Sequence, residues 1–186
     1  MSKSSAGNTP PSRAGLLPIL GGIAIALLVL AATTKQGGLS PSASLQDWVG
    51  KPAPELDVVD LNGSRHRLSE MRGKRVFLVF WGTNCVPCIH EIPTLKALRE
   101  EVPESSMVLL GLTGDDKDFL IKKQVVEKLG INYPIISYTG QLDRIVTPYR
   151  NVNMIPTLMV IGPEGRIDSI AVGGKPKEEL LALARG

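Results

Sequence analysis

Side chains that bind transition metals are scarce in this chain. It holds two cysteines and two histidines in 186 residues. A zinc site built from cysteine and histidine usually takes four ligands, so Cys85, Cys88, His66 and His90 would all have to converge. His90 lies two residues beyond Cys88, which on a helix turns it to another face. A Cys/His metal or copper-delivery site is therefore the weaker of the readings open to the cysteine pair, and no metal ligand is assigned. Aromatic residues are also few, 4% against 43% hydrophobic, so the core has to be largely aliphatic. Acidic residues are missing from the first 46 positions. Lys3, Arg13 and Lys35 precede Asp47, the first of them, and the remainder is balanced at 18 basic against 18 acidic. That balance gives no basic field for nucleic acid.

Charge is absent altogether between Ala14 and Thr34. As a helix this run would span roughly 32 Å, close to the ~30 Å hydrocarbon thickness of a bilayer. Pro18, Gly21 and Gly22 are costly in a helix in water but tolerated in a membrane span. The expectation is a cytoplasmic tail over residues 1–13, a transmembrane signal-anchor in the lipid bilayer over 14–34, and a flexible linker over 35–47. The alternative is a cleaved signal peptide followed by secretion. No cysteine follows the run closely, which excludes lipid attachment there. Lys3, Arg13 and the amino terminus before the span, against Lys35 after it, leave the N-terminus inside and export the rest to the periplasmic side of the cell membrane. The linker is rich in Gly, Ser and Pro, and a dozen such residues reach at most about 40 Å.

Residues 48–186 read as one domain. Alternating apolar positions around Asn62-Gly63 predict an N-terminal β-hairpin. "RVFLVFW" (75–81) and "MVLLGL" (107–112) are continuous apolar runs, the mark of strands buried on both faces. Ile89, Ile92, Leu95, Leu98 and Val102 recur at helical spacing. A helix is expected over 119–130, stopped by Gly130, then a short strand in "YPIIS" and a short helix over 141–149. "TLMVIGPEGRIDSIAV" reads as two strands around a Gly-Pro-Glu-Gly turn, and "KEELLALAR" as a closing helix. Buried strands alternating with helices, ending in a hairpin, predict an α/β fold with a central mixed sheet.

The two cysteines stand where the first buried strand gives way to a helix. Unpaired backbone N–H groups and the positive end of the helix dipole meet there, and both favour a thiolate. Cys88, one turn further in, can reach the Cys85 sulfur and close a disulfide. Pro87 falls in the first helical turn, where its missing N–H costs nothing. Glu91 follows Cys88 by three residues on the same helical face, where a partly desolvated carboxyl would suit proton transfer; a solvated surface glutamate is the simpler alternative.

"VFLVFWGTNCVPCIHEIPTL", together with "GKPAPELDVVDLNG", "GDD…LGINYPI" and "MIPTLMVIGPEGRI", resembles the TlpA/ResA type of membrane-anchored thioredoxin-fold proteins over roughly residues 48–185. The resemblance implies a thioredoxin-like fold and a thiol–disulfide oxidoreductase that cycles Cys85 and Cys88 with no other cofactor. It implies a cis bond at Ile155-Pro156 facing the cysteines, with the backbone there pairing with a substrate chain. Trp81, Asn84, Ile155 and Pro156 are then the substrate-binding positions, although core packing is the simpler reading of Trp81. The implied partners are exported proteins with disulfides, apocytochrome c among them, and a membrane thiol carrier as electron donor. Two positions depart from the pattern. Asn84 stands where relatives usually carry an aromatic residue, and Val79 occupies the place of the buried aspartate of thioredoxins proper. Glu91 is the candidate to replace that aspartate, as in the ResA-like group. The enzymatic rival is a thiol peroxidase of the peroxiredoxin type, but its threonine three residues before the cysteine would be Gly82 here, with Thr83 one residue too late.

The export reading has a direct test. A reporter active only outside the cytoplasm, fused after Gly186, is expected to be active, and carbonate washing is expected to leave the protein in the membrane. An inactive fusion beside an active cytoplasmic reporter would reverse the orientation.

Overall fold

A computed structural model describes residues 44–186. The expected membrane span, the tail before it and most of the linker lie outside the described residues. Among those described, no helix is long and apolar enough to cross a membrane.

The chain builds a two-stranded hairpin, β1 (Asp57–Val59) and β2 (Arg65–Arg67), and a five-stranded mixed sheet. The sheet holds β3 (Arg75–Trp81), β4 (Met107–Thr113), β5 (Ile135–Ser137), β6 (Thr157–Ile161) and β7 (Ile167–Val172) in the order β5-β4-β3-β6-β7. β3 is parallel to β4, and β4 to β5, while β6 runs antiparallel to both β3 and β7. The helices are α1 (Val86–Glu101), α2 (Lys117–Lys122), α3 (Val125–Leu129) and α4 (Lys177–Arg185).

Side-chain alternation on β3 sets the layers. Phe77, Val79 and Trp81 face one core with Ile92, Leu95 and Leu98 of α1 and Leu180 of α4. Val76, Leu78 and Phe80 face a second core with Leu56, Val58, Leu110, Ile136 and Tyr149. β3 is thus covered on both sides, as its unbroken apolar run predicted. The hairpin signal is realised as a turn in which Gly63 N–H donates to the Asp60 carbonyl, with Gly63 at φ 88°. Only glycine enters that region without strain.

Three expectations differ from what forms. Residues 119–130 are two helices, not one, because Gln124 takes a left-handed conformation at φ 50°. In one continuous helix Leu120 and Val125 would stand about 140° apart. The break rephases the chain, so that Leu120 and the Val125–Val126–Leu129 group pack on the same core. No α-helix forms over 141–149; turns and 3-10 segments at Thr139–Gln141 and Tyr149–Asn151 take its place. Pro148 has no N–H to give a helix. Tyr149 is drawn inward, where its hydroxyl donates to the Pro54 carbonyl at 2.6 Å. The folded region also starts before 48. Leu45–Trp48 forms a 3-10 turn, with Leu45 and Trp48 packed on the second core.

Both outer strands of the sheet are bonded on their far sides. Along β7, the Gln46 side chain donates to the Ile170 carbonyl at 2.9 Å and Gly50 N–H donates to the Ile167 carbonyl. Along β5, Leu61 N–H donates to the Ile135 carbonyl, and the Gln141 amide bridges Val59 to the Ser137 carbonyl.

Leu98, fully buried between α1 and the sheet, is the sharpest test of this packing. Leu98→Ala is expected to cost about 2–5 kcal/mol, read as a lower urea midpoint with unchanged slope.

Candidate active site

Strand register assembles the site. Phe80 pairs with Thr157 in the antiparallel β3–β6 ladder, so the residues after β3 meet those before β6. Trp81 pairs with Thr113 on the other side, which brings the chain leaving β4 to the same end. Gly82 lies against the segment before β6 so closely that a Cβ there would stand 3.2 Å from Ile155 Cδ1. Ile155-Pro156 is cis, as the resemblance implied. A second cis bond, at Thr147-Pro148, had no sequence signal among the readings above.

From β3 the chain turns through Gly82–Cys85, closed by Cys85 N–H donating to the Gly82 carbonyl at 3.1 Å. Cys85 is the N-cap of α1, and its Sγ accepts from Cys88 N–H at 3.2 Å. The two sulfurs form a disulfide, with S–S 2.08 Å and Cα–Cα 5.2 Å. Their exposure differs in a way that matters. Cys85 is half-buried, whereas Cys88 is 2% exposed within the first core. Only Cys85 can be approached from solvent.

Cys88 sits in a largely apolar cluster. Val79 and Trp81 are buried in the same core. Glu91, one helical turn along α1, is 7% exposed, so it is no solvated surface residue. Its Oε1 accepts from Lys175 N–H at 2.9 Å. Burial pushes the Glu91 carboxyl above the usual carboxylate range, opposed by that N–H bond and the Lys175 charge. The segment that supplies the N–H also braces the cis proline, because Gly173 N–H donates to the Pro156 carbonyl at 2.8 Å.

The predicted substrate positions separate on exposure. Asn84 and Ile155 are exposed, the latter at 45%, and Pro156 is buried beneath. Trp81 is 5% exposed and its indole lies against Gly111 in the core. Its alternation on β3 points it inward, so it packs below the site instead of lining it. His66 pairs with Asp60 at 2.8 Å in the hairpin, and His90 is exposed. Among the described residues, no three His, Cys, Asp or Glu side chains come together as a metal site requires.

One group escaped the sequence reading. Asp115 Oδ2 accepts from Thr83 N–H at 2.8 Å and from the Thr113 hydroxyl at 3.0 Å. The available signal was position, since residues just past the carboxyl ends of parallel strands commonly face a site.

A profile of the AhpC/TSA family matches residues 49–170. The chain belongs to the AhpC/TSA family. Its relatives within that family include the thiol-disulfide oxidoreductase ResA of Bacillus thuringiensis (strain Al Hakam), 33% identical over 84% of this chain and 89% of that relative. ResA of Geobacillus kaustophilus (strain HTA426) is 34% identical over 71% and 74%. Among solved structures, a thiol:disulfide interchange protein of the thioredoxin family from Chlorobium tepidum TLS superposes with a TM-score of 0.63 at 25% identity, covering 72% of this chain and 93% of its own. StoA from Bacillus subtilis has the same fold, with a TM-score of 0.58 at 19% identity over 70% and 96%. The chain is a thiol–disulfide oxidoreductase of the ResA type with a thioredoxin-like fold.

Glu91 gives a pH test. With its folded value raised above the ordinary 4.5, the native state keeps a proton that the unfolded chain has released. Stability from this group is therefore full below pH 4.5 and is lost as pH rises through the raised value. Glu91→Gln stays neutral and keeps an oxygen for Lys175 N–H. It is expected to gain stability relative to wild type between about pH 4 and about pH 8, measured by urea unfolding at both. A gap that does not widen toward high pH would contradict the raised value.

Proposed function

We propose that this protein is a membrane-anchored, extracytoplasmic reductant of disulfides in exported proteins. The observation that carries the reading is the asymmetry of the pair: an approachable Cys85 at a helix N-terminus, backed by a buried Cys88 with the buried Glu91 one turn away. In the reduced protein, Cys85 thiolate attacks a partner disulfide, forming a mixed disulfide and releasing one partner thiolate. Cys88 then gives its proton to Glu91 and attacks Cys85 Sγ. The internal disulfide forms, the second partner thiolate leaves, and two electrons have passed to the partner. No cofactor beyond the disulfide is needed.

The exposed backbone before cis Pro156, with Ile155 and Asn84 at the surface, suits an extended substrate segment lying beside the disulfide. Direction follows from the residues between the cysteines. Val86 and Pro87 bring no charge to hold a thiolate, and a stabilised reduced form is what makes a strong oxidant. The uncharged run over 14–34 and the ResA names of the relatives support export and anchoring. By kinship the substrate is apocytochrome c or another exported protein, and the electron donor a thiol carrier in the membrane.

The test is trapping. In the full-length protein Cys88→Ser should accumulate mixed disulfides through Cys85, and Cys85→Ser should accumulate none. Wild type should reduce insulin with dithiothreitol as donor. Equilibration with glutathione is expected to give a potential near about −250 mV; a value above roughly −180 mV would reverse the direction. Oxidised protein that retains two alkylatable thiols would end the reading altogether.

A further inference from the structure

The turn that delivers Cys85 to α1 has one N–H bonded to a side chain 32 positions away, the Thr83 N–H on Asp115 Oδ2. That carboxylate is itself held. The Thr113 hydroxyl donates to the same oxygen, and Asp115 N–H donates back to the Thr113 oxygen at 3.1 Å. Thr113 is fully buried. The Ser137 hydroxyl donates to the Asp115 carbonyl at 2.6 Å. Both β4 and β5 thus fix Asp115, and Asp115 fixes the turn.

We propose that Asp115 is the positioning residue of the Cys85 nucleophile: its carboxylate pins the Gly82–Cys85 turn and places a fixed negative charge beside it. Any oxygen acceptor could take the Thr83 N–H, so the hydrogen bond by itself does not call for an ionised group. An anion near this turn opposes the Cys85 thiolate, countering the pull of the helix N-terminus. The result is a less stable reduced form and a more reducing couple. Charge-assisted bonds are also stronger than neutral ones, which holds the Cys85 backbone in one place for attack. The charge is felt locally: Tyr138, whose hydroxyl lies against Gly114, is pushed up by burial and by Asp115. The other ionisable groups around this end include Asp116, Lys117 and Asp118 after β4, His90 and Glu91 on α1, and Lys175 against Glu91.

The proposal rests on the dithiol chemistry above, and two substitutions in the full-length protein separate its parts. Asp115→Asn keeps an oxygen for Thr83 N–H but removes the charge. The Cys85 thiol should titrate lower, followed by thiolate absorbance, and the glutathione equilibrium should shift about threefold toward the dithiol. Asp115→Glu keeps the charge but moves the oxygen by one methylene. Its thiol titration should match wild type, while its rate with glutathione disulfide, compared at equal thiolate fraction, should fall about threefold or more. Asp116→Asn, which removes a neighbouring charge, should change neither quantity.

Asn and Glu variants that behave alike would show that the charge has no role, and an unchanged rate in the Glu variant would show that the position has none. Either result overturns the proposal. If the Asn variant does not fold, Asp115→Ser, uncharged and still carrying an oxygen, takes its place in the titration, and the Glu variant still decides the position. A wild-type protein without a dithiol–disulfide couple would sink the oxidoreductase reading instead, a separate outcome.

Discussion

Everything at the active end depends on the pairing of β3 with two neighbours of opposite direction. β4 runs parallel to it and β6 antiparallel, so the end of β3 meets the end of one strand and the start of the other. Neither neighbour is close in sequence. The ladder alone brings the cysteine turn, Asp115 and Ile155-Pro156 together. A slip of one residue would turn every side chain of β3 to the opposite face and exchange the two aliphatic cores. The pairs Phe80–Thr157 and Trp81–Thr113 therefore fix the geometry of this end.

Within that frame the division of labour between the sulfurs follows from burial. Cys85 caps a helix and its sulfur accepts the Cys88 N–H, whereas Cys88 is buried in the first core. An apolar surrounding disfavours a charged sulfur. Glu91 is held against Lys175 N–H, and Lys175 lies two residues beyond Gly173, whose N–H braces the Pro156 carbonyl. The supports of Glu91 and of cis Pro156 are thus covalently continuous.

Much of this was legible in the residues. β3 and α4 formed over the lengths that their apolar patterns predicted, and the cysteines took the strand-to-helix junction that gives them their chemistry. What pattern could not convey was phase and contact. The polar stretch Lys122–Gln124 hides a left-handed residue that realigns two short helices, because helical spacing on either side is the same with or without the break. For Trp81 the residues left core packing and a substrate position both open, with packing the simpler, and the alternation of β3 sends it inward. Asp115 was marked only by its place just past a parallel strand and the Lys175 backbone by nothing, since each acts on a residue far off in sequence that the fold brings near. The helix expected over 141–149 failed because Tyr149 had a buried partner, Pro54, far off in sequence.

The bonds along the outer strands have a consequence for company. An open sheet with bare edge strands invites pairing with strands of other chains. Here Gln46 and Gly50 occupy carbonyls of β7, while Leu61 and Gln141 occupy those of β5. The early part of the folded region, joined by Gln141 on the β5 side, thus guards both rims of the sheet. A strand from another chain therefore finds little free backbone to pair with along these two rims.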